Sequence, residues 1–290
     1  MEHNIANVIS QAASLSLYIN SINAFIKINK PTVRLAAAYA RTICEGLPSE
    51  ADVITALQKD TNLKDKGAFG KITEYAFFNQ KPNSSALTDL PCGYDIKSCA
   101  LKTLKTAKGG NANGANANGA NANGGQNAKE RQTLTNCGTT KDYSSFQNIC
   151  DNEQFSDCKY YSKSKNFVLF VRADDKQKLK TFDQLLDQKL LLLVCFDLVT
   201  LPPVIKDTIQ ADYAKIRQCI QEQKVSQKGQ AYLHIHPHGA GHGSGNRALG
   251  FTSRFITQLV ALTVADMYGK NVDEVLNKKG RSVSIKHEYL

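Results

Sequence analysis

Asp95 and Lys97 stand two residues apart in "GYDIKSCALK". Side chains two apart on a strand share one face, so a carboxylate and an ammonium would point the same way. Asp89 precedes them at a polar turn, and Glu74 lies further upstream on a predicted helix. Carboxylates at Asp89 and Asp95 can share a Mg²⁺ ion, because hard divalent cations prefer oxygen ligands and Mg²⁺ keeps several waters. Such an ion polarises a phosphodiester and lowers the pKa of a bound water. Lys97 would orient that water or neutralise charge developing at phosphorus. Glu74 would bind a second metal or hold a metal-bound water. Taken alone, D-x-K is a weak pattern that an ordinary Asp–Lys pair on a solvated strand satisfies better. Asp89 and Glu74 at workable spacing bring the two readings level.

The composition tips the balance slightly. The chain has 290 residues, 42% of them hydrophobic, enough for one large domain or two small ones. Its formal net charge of +10 implies a polyanionic partner, nucleic acid first and an acidic membrane surface second. A basic protein with no such partner has the same charge. The start, "MEHNIANVISQAASLSLYIN", lacks the basic opening of a signal peptide, and no run approaches the roughly 18 apolar residues of a membrane span. The reading is intracellular and cytoplasmic. Eight cysteines with no CxxC pair read as reduced thiols, not as disulfides or a structural zinc site.

These residues need elements to hold them. Residues 1–60 read as an N-terminal helical region. In it "PTVRLAAAYARTICEG" places Pro31 in a first turn and Gly46 at a stop, and Ser49 is an N-cap for "EADVITALQ". A further helix covers Ala68 to Phe78, and a strand starts near Gly93. The Asn/Gly/Ala repeat over 109–130 offers no core-forming side chains and reads as a disordered insert within a domain. Strands follow from Asn166 and Leu190, then a helix from Lys206 to Gln223. The strand "QAYLHIHP" and the helix "SRFITQLVALTVADMY", stopped by Gly269, close the pattern. Mixed strands and flanking helices argue for an α/β or α+β architecture.

The stretch "YLHIHPHGAGHGSGNRALGF" carries four of the six histidines between His234 and His242. His234, His236 and His238 alternate, which suits DNA contact, a metal site or a histidine-triad nucleotide hydrolase. Pro237 interrupts that last motif. Histidines merely exposed in a turn are the plain alternative. The Gly-rich part lacks the strand–G-x-G-x-x-G–helix context of a nucleotide cradle, although its amides suit a DNA phosphate. Arg247 and Arg254 read as phosphate or base contacts, or as solvated surface charges.

Here the residues resemble a family. "NLKDKGAFGKITEYAFF" looks like the segment bearing the helical glutamate in MutH-type mismatch-repair nicking endonucleases and their type II restriction relatives. "TDLPCGYDIKSCALK" resembles their D…(E/D)-x-K signature, with Asp95-Ile96-Lys97 in place of E-L-K. "QAYLHIHPHGAG" and "GFTSRFITQLVAL" resemble the C-terminal segments that touch DNA. The family's Arg and Lys there fall on His236 and His238, and its Tyr falls on Thr252. The resemblance spans about 62–264. It implies a PD-(D/E)xK endonuclease domain over 61–290: an α/β fold with a restriction-endonuclease-like mixed sheet flanked by helices and a C-terminal DNA-reading lobe. It implies Glu74, Asp89, Asp95 and Lys97 as catalytic residues, with the three carboxylates as Mg²⁺ ligands. His236, His238, Arg247, Thr252 and Arg254 would be DNA contacts. The activity would be Mg²⁺-dependent, sequence-specific cleavage of double-stranded DNA by a type II restriction enzyme or a MutH-like nickase. The restriction reading is favoured and brings a cognate methyltransferase as functional partner. An inactive sequence-specific DNA-binding protein and a histidine-triad hydrolase are the competing readings.

Overall fold

A computed structural model describes residues 2–58, 61, 63, 67–81, 88–104, 125–174, 181–225, 228–239, 244–279 and 282–290. Near the start, β1 (His3–Asn4) pairs in parallel with β2 (Cys44–Glu45). Between and after them come α1 (Ile5–Ser10), α2 (Ala12–Asn29), α3 (Val33–Ile43), α4 (Glu50–Gln58) and α5 (Ala68–Phe78). Ser49 caps α4: its Oγ accepts from the Asp52 amide at 3.2 Å, while Asp52 accepts from the Ser49 amide at 3.1 Å. This reciprocal box satisfies two amides that the helix itself cannot. Pro31, by contrast, lies one residue before the N-cap of α3, which is Thr32. Helix α3 also ends three residues short of Gly46, because Cys44 and Glu45 go to the β1 pairing.

The main sheet is mixed and six-stranded. It runs β10 (Leu276–Lys279), β11 (Ser282–Ile285), β4 (Gln126–Ala128), β3 (Asp95–Thr103), β6 (Asn166–Ala173), β7 (Leu190–Asp197). Among the described residues of this sheet only β3 and β6 pair in parallel, with Asp95 opposite Phe167 and Lys97 opposite Leu169. Both β6 and β7 are apolar along their length because helices or strands cover both faces. Phe167, Leu169 and Val171 enter one core, and Val168 and Phe170 enter the other. The second core is made with α1 to α5, so the helices before residue 60 form one wall of the sheet.

Strand β4 corrects only the last part, 125–130, of the disordered insert expected over 109–130. Gln126 and Ala128 are buried and pair with Thr103 and Leu101. Its neighbours β3 and β11 supply the backbone partners that local sequence could not reveal. Residues 105–124 lie outside the described set.

The opposite face carries α8 (Pro203–Gln221), α9 (Ser253–Tyr268) and a three-stranded sheet ordered β5 (Gln132–Thr139), β9 (Asn246–Phe251), β8 (Leu233–Pro237). Short helices α6 (Gln147–Asp151), α7 (Phe182–Leu186) and α10 (Val272–Val275) complete the order. Among the described residues, no helix is long and apolar enough to cross a membrane. All eight cysteines are free thiols.

Two side chains stand in for missing backbone partners. Asn23 of α2 donates to the Leu193 carbonyl and accepts from the Leu193 amide, both at 2.8 Å, on the outer side of β7. Asp212 of α8 accepts from the amides of Ala231, Tyr232 and Leu233 at 2.8, 2.6 and 2.9 Å, which fixes where β8 begins. Removing that carboxylate strands amides at the entry to β8. Asp212→Ala is therefore expected to cost about 2–4 kcal/mol in urea unfolding. A loss below about 0.5 kcal/mol would show that water replaces the carboxylate.

Candidate active site and basic cleft

Asp95 opens β3 and is 1% exposed. Lys97 lies two residues on, and its Nζ is 3.0 Å from Asp95 Oδ2. The shared face inferred from spacing is thus a direct ion pair. The other oxygen, Oδ1, faces Lys163 Nζ at 3.7 Å. Lys163 comes from the turn before β6, the parallel neighbour of β3. It was not visible in sequence, where "YYSKSKN" reads as a solvated polar turn; only its closeness to the start of the next strand was a signal.

Asp89 lies in the turn before β3, and its Oδ2 accepts from the Ile96 amide at 2.7 Å. Burial raises the Asp89 carboxyl, and that hydrogen bond offsets part of the rise. Asp95 raises it further, while Lys97 and Lys163 lower it. Glu74 projects from α5. Burial first, and then the charge of Asp89, push its carboxyl up to about 7. Lys97 and Lys71 lower it, and Asp95 raises it. The four residues singled out in the sequence therefore lie within electrostatic reach of one another. Helix α5 is tied to the sheet by Arg172 of β6, whose guanidinium lies 5.0 Å from the Phe69 ring centre.

The three carboxylates do not converge on one point. Among the described residues no group of three His, Cys, Asp or Glu side chains is placed to hold a metal ion. Mg²⁺ requires less, since one or two carboxylates and water suffice. Asp95 Oδ1 is buried and accepts no hydrogen bond. A hard cation would offset the desolvation of that oxygen, and the all-oxygen donor set suits it. The residues fit the ion through Asp95 and Asp89, with Glu74 within electrostatic reach of both.

A cavity of about 460 Å³ runs along β3 past Lys97, lined also by Gly70, Lys129, Arg131, Thr133 and Arg172. A second, of about 480 Å³, shares Lys129, Glu130 and Arg131 with it and reaches His234, Thr252 and Ser253. Together they form one cleft between the main sheet and the three-stranded sheet, with an excess of cations along it.

The histidines sit differently from their sequence reading. His236 is 3% exposed. Its Nε2 is 3.1 Å from the Thr133 hydroxyl, and its ring occupies the space above Gly250, where an added Cβ would come within 2.7 Å of Cε1. His236 therefore does not present its ring to DNA at the surface, which corrects the expectation of a direct contact there. Alternation along β8 put His234 and His236 on one face but could not reveal that β5, some hundred residues earlier, reaches His236. Burial and Arg131 push His234 down to about 4 and His236 to about 3, with His234 and His238 adding to the effect on His236. Both are neutral at physiological pH, so binding strengthened by their protonation near pH 6 is not expected. His238 is exposed beyond the strand end. Residue His242 lies outside the described set.

Thr252 lines the cleft but is committed to structure: its hydroxyl caps α9 through the Phe255 amide at 3.2 Å and donates to the Ala231 carbonyl at 2.8 Å. Arg247 Nη1 donates to the Ser244 and Asn246 carbonyls at 2.7 and 3.0 Å, shaping the turn into β9. Arg254 is exposed in the first turn of α9. Besides Lys97, the cations that line the cleft are Lys129, Arg131 and Arg172, which were not singled out by their local sequence. The chain matches no protein-family model and no curated protein sequence.

The raised Glu74 carboxyl has a consequence for stability. Its ordinary value is 4.5 and its folded value about 7, so the folded state holds this proton more tightly than the unfolded one. Stability from this group is full below about pH 4.5, declines as pH rises to about 7, and is flat above. In metal-free buffer Glu74→Gln is expected to gain about 1–3 kcal/mol at pH 8 and almost nothing at pH 4.5, measured by urea unfolding. Equal stability of the two proteins at pH 8 would remove the burial argument. In proton NMR, the imidazole signals of His234 and His236 should hold constant from pH 8 to 5.5. A titration step in that window would contradict their burial.

Proposed function

We propose that this protein is a Mg²⁺-dependent DNA endonuclease with a restriction-endonuclease-like core. The observation that carries the reading is the buried Asp95 carboxylate paired with Lys97, which itself lines a cleft rich in cations. A duplex is the polyanion that such a cleft accommodates, and the charge of +10 supports it.

The residues divide the work by their chemistry. Asp95 and Asp89 would hold the divalent ion, which when bound supplies a Lewis acid for the phosphodiester and acidifies water. Lys97 and Lys163 neutralise charge as water adds at phosphorus and the P–O bond breaks. Glu74, with a carboxyl near 7, is matched to accepting a proton from the attacking water at neutral pH. Lys129, Arg131 and Arg172 hold the phosphate backbone along the cleft. Sequence-specific cleavage, as by a type II restriction enzyme with a cognate methyltransferase, is the preferred form. A MutH-like nickase uses the same residues. The histidine-triad alternative loses support, because His236 is buried against Thr133.

Supercoiled plasmid with protein and Mg²⁺ should be linearised or nicked, and EDTA should stop it. Asp95→Asn and Lys97→Ala should each lower the cleavage rate by about 100-fold or more while changing DNA affinity by less than about tenfold. Full activity in either variant, or in EDTA, would overturn the assignment. DNA binding without cleavage by the wild type would favour the inactive DNA-binding reading.

A further inference from the structure

The histidine face of β8 has a feature that DNA cleavage does not use. His234 and His236 lie two residues apart on one strand face, with ring centres 4.8 Å apart and ring planes inclined by 36°. His234 Nε2 and His236 Nδ1 are both buried, and neither has a hydrogen-bond partner. Two unpartnered imidazole nitrogens so close together are costly: each has lost water and gained nothing in return. An ordered water or a cation is the usual remedy.

The surroundings favour a cation that imidazole suits. His236 Nε2 is engaged by Thr133 Oγ1 at 3.1 Å. If Nε2–H donates to that hydroxyl, the lone pair is left on Nδ1, the unpartnered atom. Metal-bound histidines are oriented in this way, their second nitrogen donating to a neighbouring oxygen. Gly250 beneath the ring leaves His236 the space for this pose. Both rings are neutral at physiological pH, so a metal displaces no proton from them. Arg131 lies close enough to oppose a cation, but it is exposed and its field is screened by solvent.

We propose that His234 Nε2 and His236 Nδ1 form a two-imidazole site for a borderline transition-metal ion such as Zn²⁺ or Co²⁺, separate from the carboxylate site at Asp95. Among the described residues no third His, Cys, Asp or Glu completes a cage, so water or an added ligand fills the remaining positions. The affinity is correspondingly modest. His238, whose ring centre is 6.4 Å from that of His236, is exposed and stands outside the pair. The site does not depend on the nuclease reading, since it requires only the strand pairing of β5, β9 and β8.

Metal-stripped full-length protein is titrated with Co²⁺ in the presence of excess Mg²⁺ and thiol reductant, with proton NMR of the imidazoles and a Zn²⁺ titration by calorimetry. The expected result is selective paramagnetic shifting of the His234 and His236 signals, and one equivalent of Zn²⁺ that His234→Ala and His236→Ala each weaken at least tenfold. His238→Ala should leave it within about twofold. Thr133→Val, which keeps the packing but removes the hydroxyl that orients the ring, should weaken it about tenfold. If His236→Ala does not fold, His234→Ala and Thr133→Val decide the matter alone. The proposal is overturned if Co²⁺ shifts neither imidazole, or if His234→Ala binds Zn²⁺ as the wild type does. Either result would leave a trapped water as the partner of the two nitrogens. Plasmid cleavage plays no part in these readouts, so an inactive protein can still confirm the site.

Discussion

A carboxylate with almost no access to water governs the arrangement of this molecule. Burying the Asp95 carboxylate is costly unless cations meet it, and two do: Lys97 from its own strand and Lys163 from the turn before the next. That requirement ties β3 to β6 in one register, because a slip of one residue would turn Asp95 and Lys97 to the face packed by α5 and the N-terminal helices. The parallel pairing of β3 with β6 brings Lys163, at the entry to β6, beside the Asp95–Lys97 pair. The pair's Coulomb energy is not a net source of stability, since desolvation consumes much of it. What it fixes is position.

Much of this was legible in the chain. The period of two in "DIKSCALK" put Asp95 and Lys97 on one face, and the helix from Ala68 to Phe78 agrees residue for residue with its pattern. The apolar runs from Asn166 and Leu190 marked β6 and β7 as strands, and the two cores show them buried on both faces. What was not legible depended on distant partners. Strands β5 and β9 are rich in Thr, Asn and Gly, and their pairing contains two irregularities, so no clean alternation marks them. Gly250 is glycine in a strand because the Gln132 carbonyl and the His236 ring both fill the space a Cβ would take. Strand β4 is three residues long and rests between β3 and β11, the second of which comes from the end of the chain. Lys163 sits among polar residues whose spacing carries no pattern at all.

The charges of the molecule are used in two distinct ways. Arg34 joins α3 to Glu50, Asp183 and Asp187, and its carboxylate partners at Asp187 and Asp183 raise its already high pKa. Those partners lie largely in solvent, so the network orients surface segments more than it stabilises them. Lys129, Arg131 and Arg172 instead line a concave surface beside buried carboxylates. There the low-dielectric walls concentrate the field, and added salt should weaken it steeply. The same excess of cations therefore has little to do with folding at one place and much to do with a ligand at the other.

The amide of Asn23 has a consequence for how copies of this chain can meet. Strand β7 is an outer strand of the main sheet, and outer strands invite further strands from neighbouring molecules. By occupying both the donor and the acceptor of Leu193, Asn23 acts as a one-residue dummy strand with a helix behind it. An incoming strand would have to break two good hydrogen bonds and lift α2 before making its first. Asn23, together with the Pro31–Val33 backbone that bonds to Leu190 and Gln188, thus closes this side of the main sheet to further strands.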